Sequence, residues 1–291
     1  MSTARLLLSF EDYREPAERL ANAADLAHET IERHLFPDGE SLVRLPESLP
    51  AQVILCRSLD APNAKLVELM LAADTARELG AQHLTLVAPY LGYMRQDKAF
   101  HPGEAVSQRI VGRFLAERFD ALITVDPHLH RVHDLQRAVP VSRAVALSAT
   151  EPMAAFLHRH ISEPLLVGPD QESEQWVADI ARHHGLDYAV ATKHRAGDRS
   201  VSITLPEIAF RDREVVLVDD VASTGRTLAA AAGAIGSHRP RRITAIVAHA
   251  LFVQDALDVI RRAGVAEIWS TDSVQHPTNR IHLAALLESA L

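Results

Sequence analysis

The stretch VVLVDDVASTGRTL, residues 215–228, runs four apolar residues straight into two adjacent aspartates. Small and hydroxyl-bearing residues follow, and then an alanine-rich segment. The apolar run reads as a buried strand, expected to end at the acids. Asp219 and Asp220 offer acceptors for the vicinal hydroxyls of a sugar, or ligands for a cation beside one. The turn Ala222, Ser223, Thr224, Gly225, Arg226 and Thr227 then meets a helix start. Successive backbone N–H groups in such a turn make an anion-binding concavity, and the helix dipole adds to it. Carboxylates and donors would thus serve opposite ends of one ligand, a sugar carrying a phosphate. The same residues also read as a strand end, an Asx turn and a Thr-capped helix. No GxxxxGK segment occurs and no GxGxxG follows a strand, so the usual nucleotide loops do not apply.

Outward from this stretch the chain keeps one rhythm. RLLLSF, QVILC, LTLVAPY, ALITVD, LLVGPD, VVLVDD and ITAIVAHA alternate with helix-like stretches at 64–79, 103–118, 172–184 and 226–237. Strands apolar on both faces and separated by helices mean parallel sheets covered on each side, an α/β class. A change of character over 138–150 divides the 291 residues into halves of similar size. The expected domains are 1–145 and 146–275, with 276–291 a helix packing back on the first. Letter-for-letter repetition between the halves is weak.

Apolar residues make up 47% and charged residues 23%, which fits a packed core and argues against wholesale disorder. With 30 basic against 38 acidic residues the net charge is −8, so a nucleic-acid partner is not expected. The single cysteine, Cys56, sits in an apolar run and fits a reducing compartment. MSTARLLLSF lacks the pattern of a signal peptide, and no run approaches a membrane span. A cytoplasmic protein without membrane attachment is expected.

Ligands of parallel sheets gather at the carboxyl ends of the strands. There this chain carries LGYMRQD, PHLH, QES and VASTGRT, an inventory suited to metal and phosphate chemistry. The two acids and TGRT resemble the phosphoribosyl diphosphate loop of the phosphoribosyltransferase fold. FPDGE (36–40), APYLGYMRQD (88–97), VDPH (125–128), VGPD (167–170) and KHR (193–195) follow in the order found in ribose-phosphate pyrophosphokinases. The resemblance runs from about Phe36 to the closing helix and implies two tandem phosphoribosyltransferase-like domains. It also implies transfer of the diphosphoryl group of ATP to the 1-hydroxyl of ribose 5-phosphate, with Mg2+ required.

On residue types alone FPDGE is a Pro-Asp-Gly turn. The resemblance makes it the adenine grip, with Phe36 stacking and Asp38 and Glu40 accepting from the amino edge, reaching a neighbouring subunit's site. Arg95, Gln96 and Asp97 otherwise read as a solvated loop; by resemblance they bind ATP, Arg95 being a donor suited to phosphate. Asp126 and His128 are implied, with Asp170, in the magnesium site, and His128 also in ATP binding. Mg2+ prefers oxygen, so a histidine could act through water. His130 and His133 nearby leave a zinc-type cluster as an alternative, and Asp170 alone reads as a turn or helix cap. KHRAGDRS (193–200) is as a bare charge run a solvated loop; the resemblance makes it a catalytic flap, with Lys193 and Arg195 neutralising transition-state charge.

Three departures from the family pattern stand out. Arg226 replaces a glycine of the sugar-phosphate loop. QESEQW follows Asp170 where many members have a glycine pair. KAFHPGEAVS (98–107) looks more like the archaeal-type branch, which puts the allosteric site and hexamer in doubt and makes a homodimer the expected assembly. Two other functions fit parts of the pattern: a phosphoribosyltransferase consuming phosphoribosyl diphosphate and a base, and a non-catalytic regulatory homologue.

Overall fold

Leucine- and valine-rich segments without internal charge settle where both faces of a sheet are covered. The computed structural model, which describes residues 4–129, 134–196 and 200–291, puts them there in two separate sheets. The chain divides between Ser148 and Ala149 into two units, and Leu283–Leu291 belongs to the first.

The first unit runs β1 (Arg5–Phe10), α1 (Arg14–Ala23), β2 (Ala27–Leu35), β3 (Ser41–Arg44), β4 (Gln52–Cys56), α2 (Pro62–Glu78), β5 (His83–Val87), α3 (Ser107–Ala116), β6 (Ala121–Val125), α4 (Leu135–Ala138) and β7 (Arg143–Leu147). Its sheet has the order β3-β2-β1-β4-β5-β6-β7. All neighbours are parallel except the β2–β3 hairpin. Leu6, Leu8 and Phe10 join Leu69, Ala72 and Ala76 of α2 and Leu115 of α3 in one apolar cluster. The alternate residues Leu7 and Ile54 are buried as well, so both faces are covered. The hairpin is different: beyond Ile31, β2 is exposed to its end, and β3 alternates between half-buried and exposed.

The second unit runs α5 (Thr150–His160), β8 (Leu165–Gly168), α6 (Glu174–His184), β9 (Tyr188–Val190), β10 (Thr192–Ala196), β11 (Ser200–Thr204), β12 (Glu214–Ala222), α7 (Arg226–Gly236), β13 (Arg242–Ala250), α8 (Ala256–Arg262), β14 (Glu267–Thr271) and β15 (Asn279–Ile281). Its six-stranded sheet, β15-β14-β13-β12-β8-β9, is parallel throughout. The closing helix α9 (Ala284–Glu288) packs on α1 in the first unit. There the guanidinium of Arg5 donates to the carbonyl of Leu291 and that of Arg143 to the carbonyl of Ala290.

The two orders follow one plan. Read from β2 and from β9, each sheet places its second strand beside its first, then its later strands on the first strand's other side. Each therefore has one switch point, between β1 and β4 and between β8 and β12. After each second strand comes an antiparallel hairpin, β2–β3 in one unit and β10–β11 in the other.

Two local expectations change. The strand carrying the acidic doublet does not end there. β12 leaves β8 at Leu217 but stays paired with β13 through Ala222, so Asp219 and Asp220 lie within a strand. Hydrogen bonds to one neighbour outlast those to the other. The start of the 193–200 segment is strand, in β10: Lys193 pairs with Ile203 and Arg195 with Val201 in the β10–β11 ladder. The β-branched residues Val201 and Ile203 stand opposite it on β11, which suits a ribbon better than a solvated loop.

Close helix packing gives a direct test. A Cβ added at Gly112 of α3 would stand 1.8 Å from the carbonyl oxygen of Ala138. Gly112→Ala should destabilise the first unit by about 3 kcal/mol through overpacking. A thermal scan should then show an early transition for that unit; an unchanged profile would count against this approach of α3 to α4.

Candidate functional site

Strands on either side of a switch point send their following loops in opposite directions and leave a crevice. In the second unit Asp170 follows β8 on one side, and Asp219 and Asp220 sit in β12 on the other. Asp170 begins a short 3-10 turn: its Oδ1 accepts from the Glu172 amide, and Ser173 bonds back to Asp170. The cap reading of Asp170 is therefore realised, but Oδ1 alone serves it. The Lys193 ammonium donates to Oδ2 at 3.1 Å and to the Thr227 hydroxyl at 2.9 Å. Lys193 thus joins the turn after β8 to the turn after β12.

Asp220 is buried and Asp219 half-buried. The Asp219 carboxylate accepts from the Asp220 amide, and that of Asp220 from the Val221 amide. Burial, and then the negative charges of Asp220 and Asp170, push the Asp219 carboxyl well above the usual carboxylate range. The apo crevice is therefore short of positive charge. A set of oxygen donors in mutual repulsion is what an oxygen-seeking dication relieves, and in this respect the residues fit magnesium.

The turn itself is anchored by its carbonyls. That of Ala222 accepts from Leu251 and Phe252, and that of Ser223 from Val253. Thr224 is exposed. Gly225 is the N-cap of α7 at φ +69°, and a Cβ there would meet Ile260 at 2.8 Å. A glycine has no capping side chain, so the first-turn amides of α7 face a ligand without an internal competitor. Arg226, at the first helical position, is exposed, and Thr227 is half-buried.

The first unit holds the remaining predicted residues. FPDGE closes the β2–β3 hairpin: the Phe36 amide donates to the Glu40 carbonyl, Gly39 adopts φ +95°, and Asp38 accepts from the Glu40 amide. The turn reading is correct as structure, and it leaves Phe36, Asp38 and Glu40 exposed, with Phe36 edge-on to His34. Past β5, Arg95 is exposed while Gln96 and Asp97 are half-buried. The N-terminus of α3 steadies this loop, Gln108 bonding the carbonyls of Met94 and Gln96. Past β6, Asp126 is buried at φ +37°, a left-handed conformation that costs an aspartate backbone energy. Its amide donates to Leu147 and its carboxylate accepts from Ser148. His128 is half-buried two residues on. His130 and His133, which the zinc alternative needs, lie outside the described residues, as do 197–199 of the flap. Among the described residues no group of three or more His, Cys, Asp or Glu could hold a metal by itself. Arg195 is described by its backbone alone. No described helix is long and apolar enough to cross a membrane.

Sequence reasoning missed a buried ionic cluster in the first unit. Arg57 and Glu68, each 1% exposed, pair at 2.6 Å. A charge directly after QVILC, and another between Val67 and Leu69 of α2, were the available signals.

Residues 6–118 match the model of the N-terminal domain of ribose phosphate pyrophosphokinase, and residues 146–271 that of the phosphoribosyl transferase domain. A ribose-phosphate pyrophosphokinase of Methanopyrus kandleri is 35% identical over 94% of both chains. One of Sulfolobus acidocaldarius is 32% identical over 89% of both. The crystal structure of phosphoribosylpyrophosphate synthetase from Mycobacterium smegmatis superposes with a TM-score of 0.84 over 99% of this chain and 97% of that one, at 22% identity, and so shares the fold.

The raised Asp219 carboxyl has a thermodynamic consequence. A carboxyl whose folded pKa exceeds its unfolded value favours the folded state below the unfolded pKa and loses that contribution as pH rises through the folded one. Asp219→Asn should therefore raise the Tm of the ligand-free protein at neutral and alkaline pH. The gain should shrink toward zero as pH falls to the ordinary aspartate range, near about 4. Calorimetry across pH reads this directly; a Tm difference that does not vary with pH would contradict it.

Proposed function

The chain belongs to the ribose-phosphate pyrophosphokinase family, and we propose from that premise how its residues divide a diphosphoryl transfer from ATP to ribose 5-phosphate. The anomeric hydroxyl attacks the β-phosphorus. The new O–P bond forms as the bond from that phosphorus to the α–β bridging oxygen breaks, and the hydroxyl proton passes to solvent, leaving AMP and phosphoribosyl diphosphate. A loose phosphoryl transition state asks more for charge neutralisation and alignment than for a strong base.

The observation that carries this assignment is the position of Lys193. Its ammonium bridges Asp170 and Thr227 across the switch point. Asp219 and Asp220 receive the sugar hydroxyls. Ala222, Ser223, Thr224, Gly225, Arg226 and Thr227 receive the 5-phosphate through amides, hydroxyls and the first turn of α7. A phosphate-bearing ligand there exchanges with Asp170 for Lys193, so the lysine meets the transferring group without new positive charge having to be ordered. Arg195 supplies a second cation from the same strand.

Residues of the first unit hold the donor. Phe36 stacks on the adenine, and Asp38 and Glu40 accept from its amino edge, since a carboxylate already bonded once has lone pairs to spare. Arg95, Gln96 and Asp97 take the ribose and phosphates, with His128 beside them. Asp126, His128 and Asp170 would hold magnesium, and the crowded carboxylates near Asp219 favour its presence. When bound, it supplies charge neutralisation on the diphosphate. Leu35 and Leu42, 59% and 41% exposed on the FPDGE hairpin, favour cover by a second copy, and a homodimer or higher homo-oligomer follows.

The test is AMP formation from ATP and ribose 5-phosphate with no base present. A phosphoribosyltransferase would give none, and neither would a regulatory homologue. Lys193→Ala should lower kcat by about 10²–10³ while calorimetric nucleotide binding persists, the pattern expected when a charge acts mainly in the transition state. Undiminished turnover would remove Lys193 from this role.

A further inference from the structure

The first unit has its own switch point, between β1 and β4, and the same topology predicts a ligand crevice there. Side chains of the chain itself fill it. Arg57, directly after β4, donates to Asp12, just past β1, at 3.1 Å and forms an ion pair with Glu68 of α2 at 2.6 Å. Its guanidinium lies 3.9 Å over the Phe10 ring. Lys65 extends the network to Asp12 at 3.2 Å and Asp60 at 2.7 Å. Glu68 reaches the other way, accepting from the Ser41 hydroxyl at 2.9 Å and from Arg33 at 3.4 Å. Three acids, Asp12, Asp60 and Glu68, balance three bases, Arg33, Arg57 and Lys65. In contrast to the crevice of the second unit, this one is closed and neutral.

Ser41 directly follows Glu40, and Arg33 lies three residues before Phe36. They belong to the hairpin that carries the proposed adenine grip, and that hairpin has little apolar burial to fix its pose. The same segment after β4 is bound to the nucleotide loop: the Arg57 amide donates to Val87 and the Leu59 amide to Tyr90, at 2.9 and 2.8 Å. Buried ion networks add little net stability but hold a specific geometry; here each acid and base has an ionic partner, while the buried Arg57 Nη1 makes no hydrogen bond. We infer that Arg57 and Glu68 are positioning residues for the nucleotide: the switch-point crevice of the first unit, closed by its own charges, serves as the anchor that sets the FPDGE hairpin through Ser41 and Arg33. This rests on the reading of the hairpin as nucleotide-binding.

Ser41→Ala removes the hairpin's hydroxyl anchor and keeps the Arg57–Glu68 pair. Steady-state kinetics should show KM for ATP raised about tenfold, the loss of one hydrogen bond to a charged group. KM for ribose 5-phosphate and kcat should stay unchanged. Ser41→Thr, which keeps the hydroxyl, should restore wild-type KM for ATP, and Glu68→Gln should shift it the same way as Ser41→Ala. Wild-type KM for ATP in Ser41→Ala, or all three constants moving together, would overturn the anchor. Phe36→Ala separates the two levels. If it raises KM for ATP and Ser41→Ala does not, the anchor alone fails. If Phe36→Ala has no effect on that KM, the nucleotide role of the hairpin fails and the anchor with it.

Discussion

The second unit is organised around carboxylates that repel one another. Asp170, Asp219 and Asp220 converge on one crevice, and burial makes the repulsion hard to screen. Apolar strands alone would close such a crevice. Rich in acids, it suits a ligand with positive charge or with hydroxyls to donate. The Lys193 bridge joins two sides of the crevice, and the Asp219 carboxyl is still pushed up by its acidic neighbours.

The first unit repeats the plan with the opposite outcome. Where the second unit leaves acids in excess, the first matches each acid with a base and stacks Arg57 on Phe10. Two crevices of one topology thus diverge by charge balance rather than by backbone. On the proposed assignment, this bears on where the donor is held. With the switch point occupied by side chains, the residues proposed for the donor lie past β5 and β6 and at the tip of the hairpin.

Much of this was legible in the sequence. RLLLSF and QVILC coincide with β1 and β4 because an uncharged apolar run has one stable setting, the middle of a covered sheet. The acidic doublet and TGRT marked, by residue type, the passage from a buried strand to a helix start. What the sequence hid depends on partners distant in the chain. β2 reads as polar because an edge hairpin is wetted on one side. The extension of β12 through Ala222 is set by β13, which no local pattern reveals. The pairing of Arg57 with Glu68 depends on the fold bringing the end of β4 to α2. The likeness of the two units was faint in the letters and plain in the strand order.

The crossing of the chain back to its beginning constrains how it is made. Leu283–Leu291 completes the first unit, yet it leaves the ribosome after the whole of the second. The face of α1 that α9 covers must therefore wait, uncovered, through the synthesis of about half the polypeptide. Domains emerge and fold in order during translation. Here the earlier one stays unfinished longest, and chaperones would find their natural substrate in that waiting face.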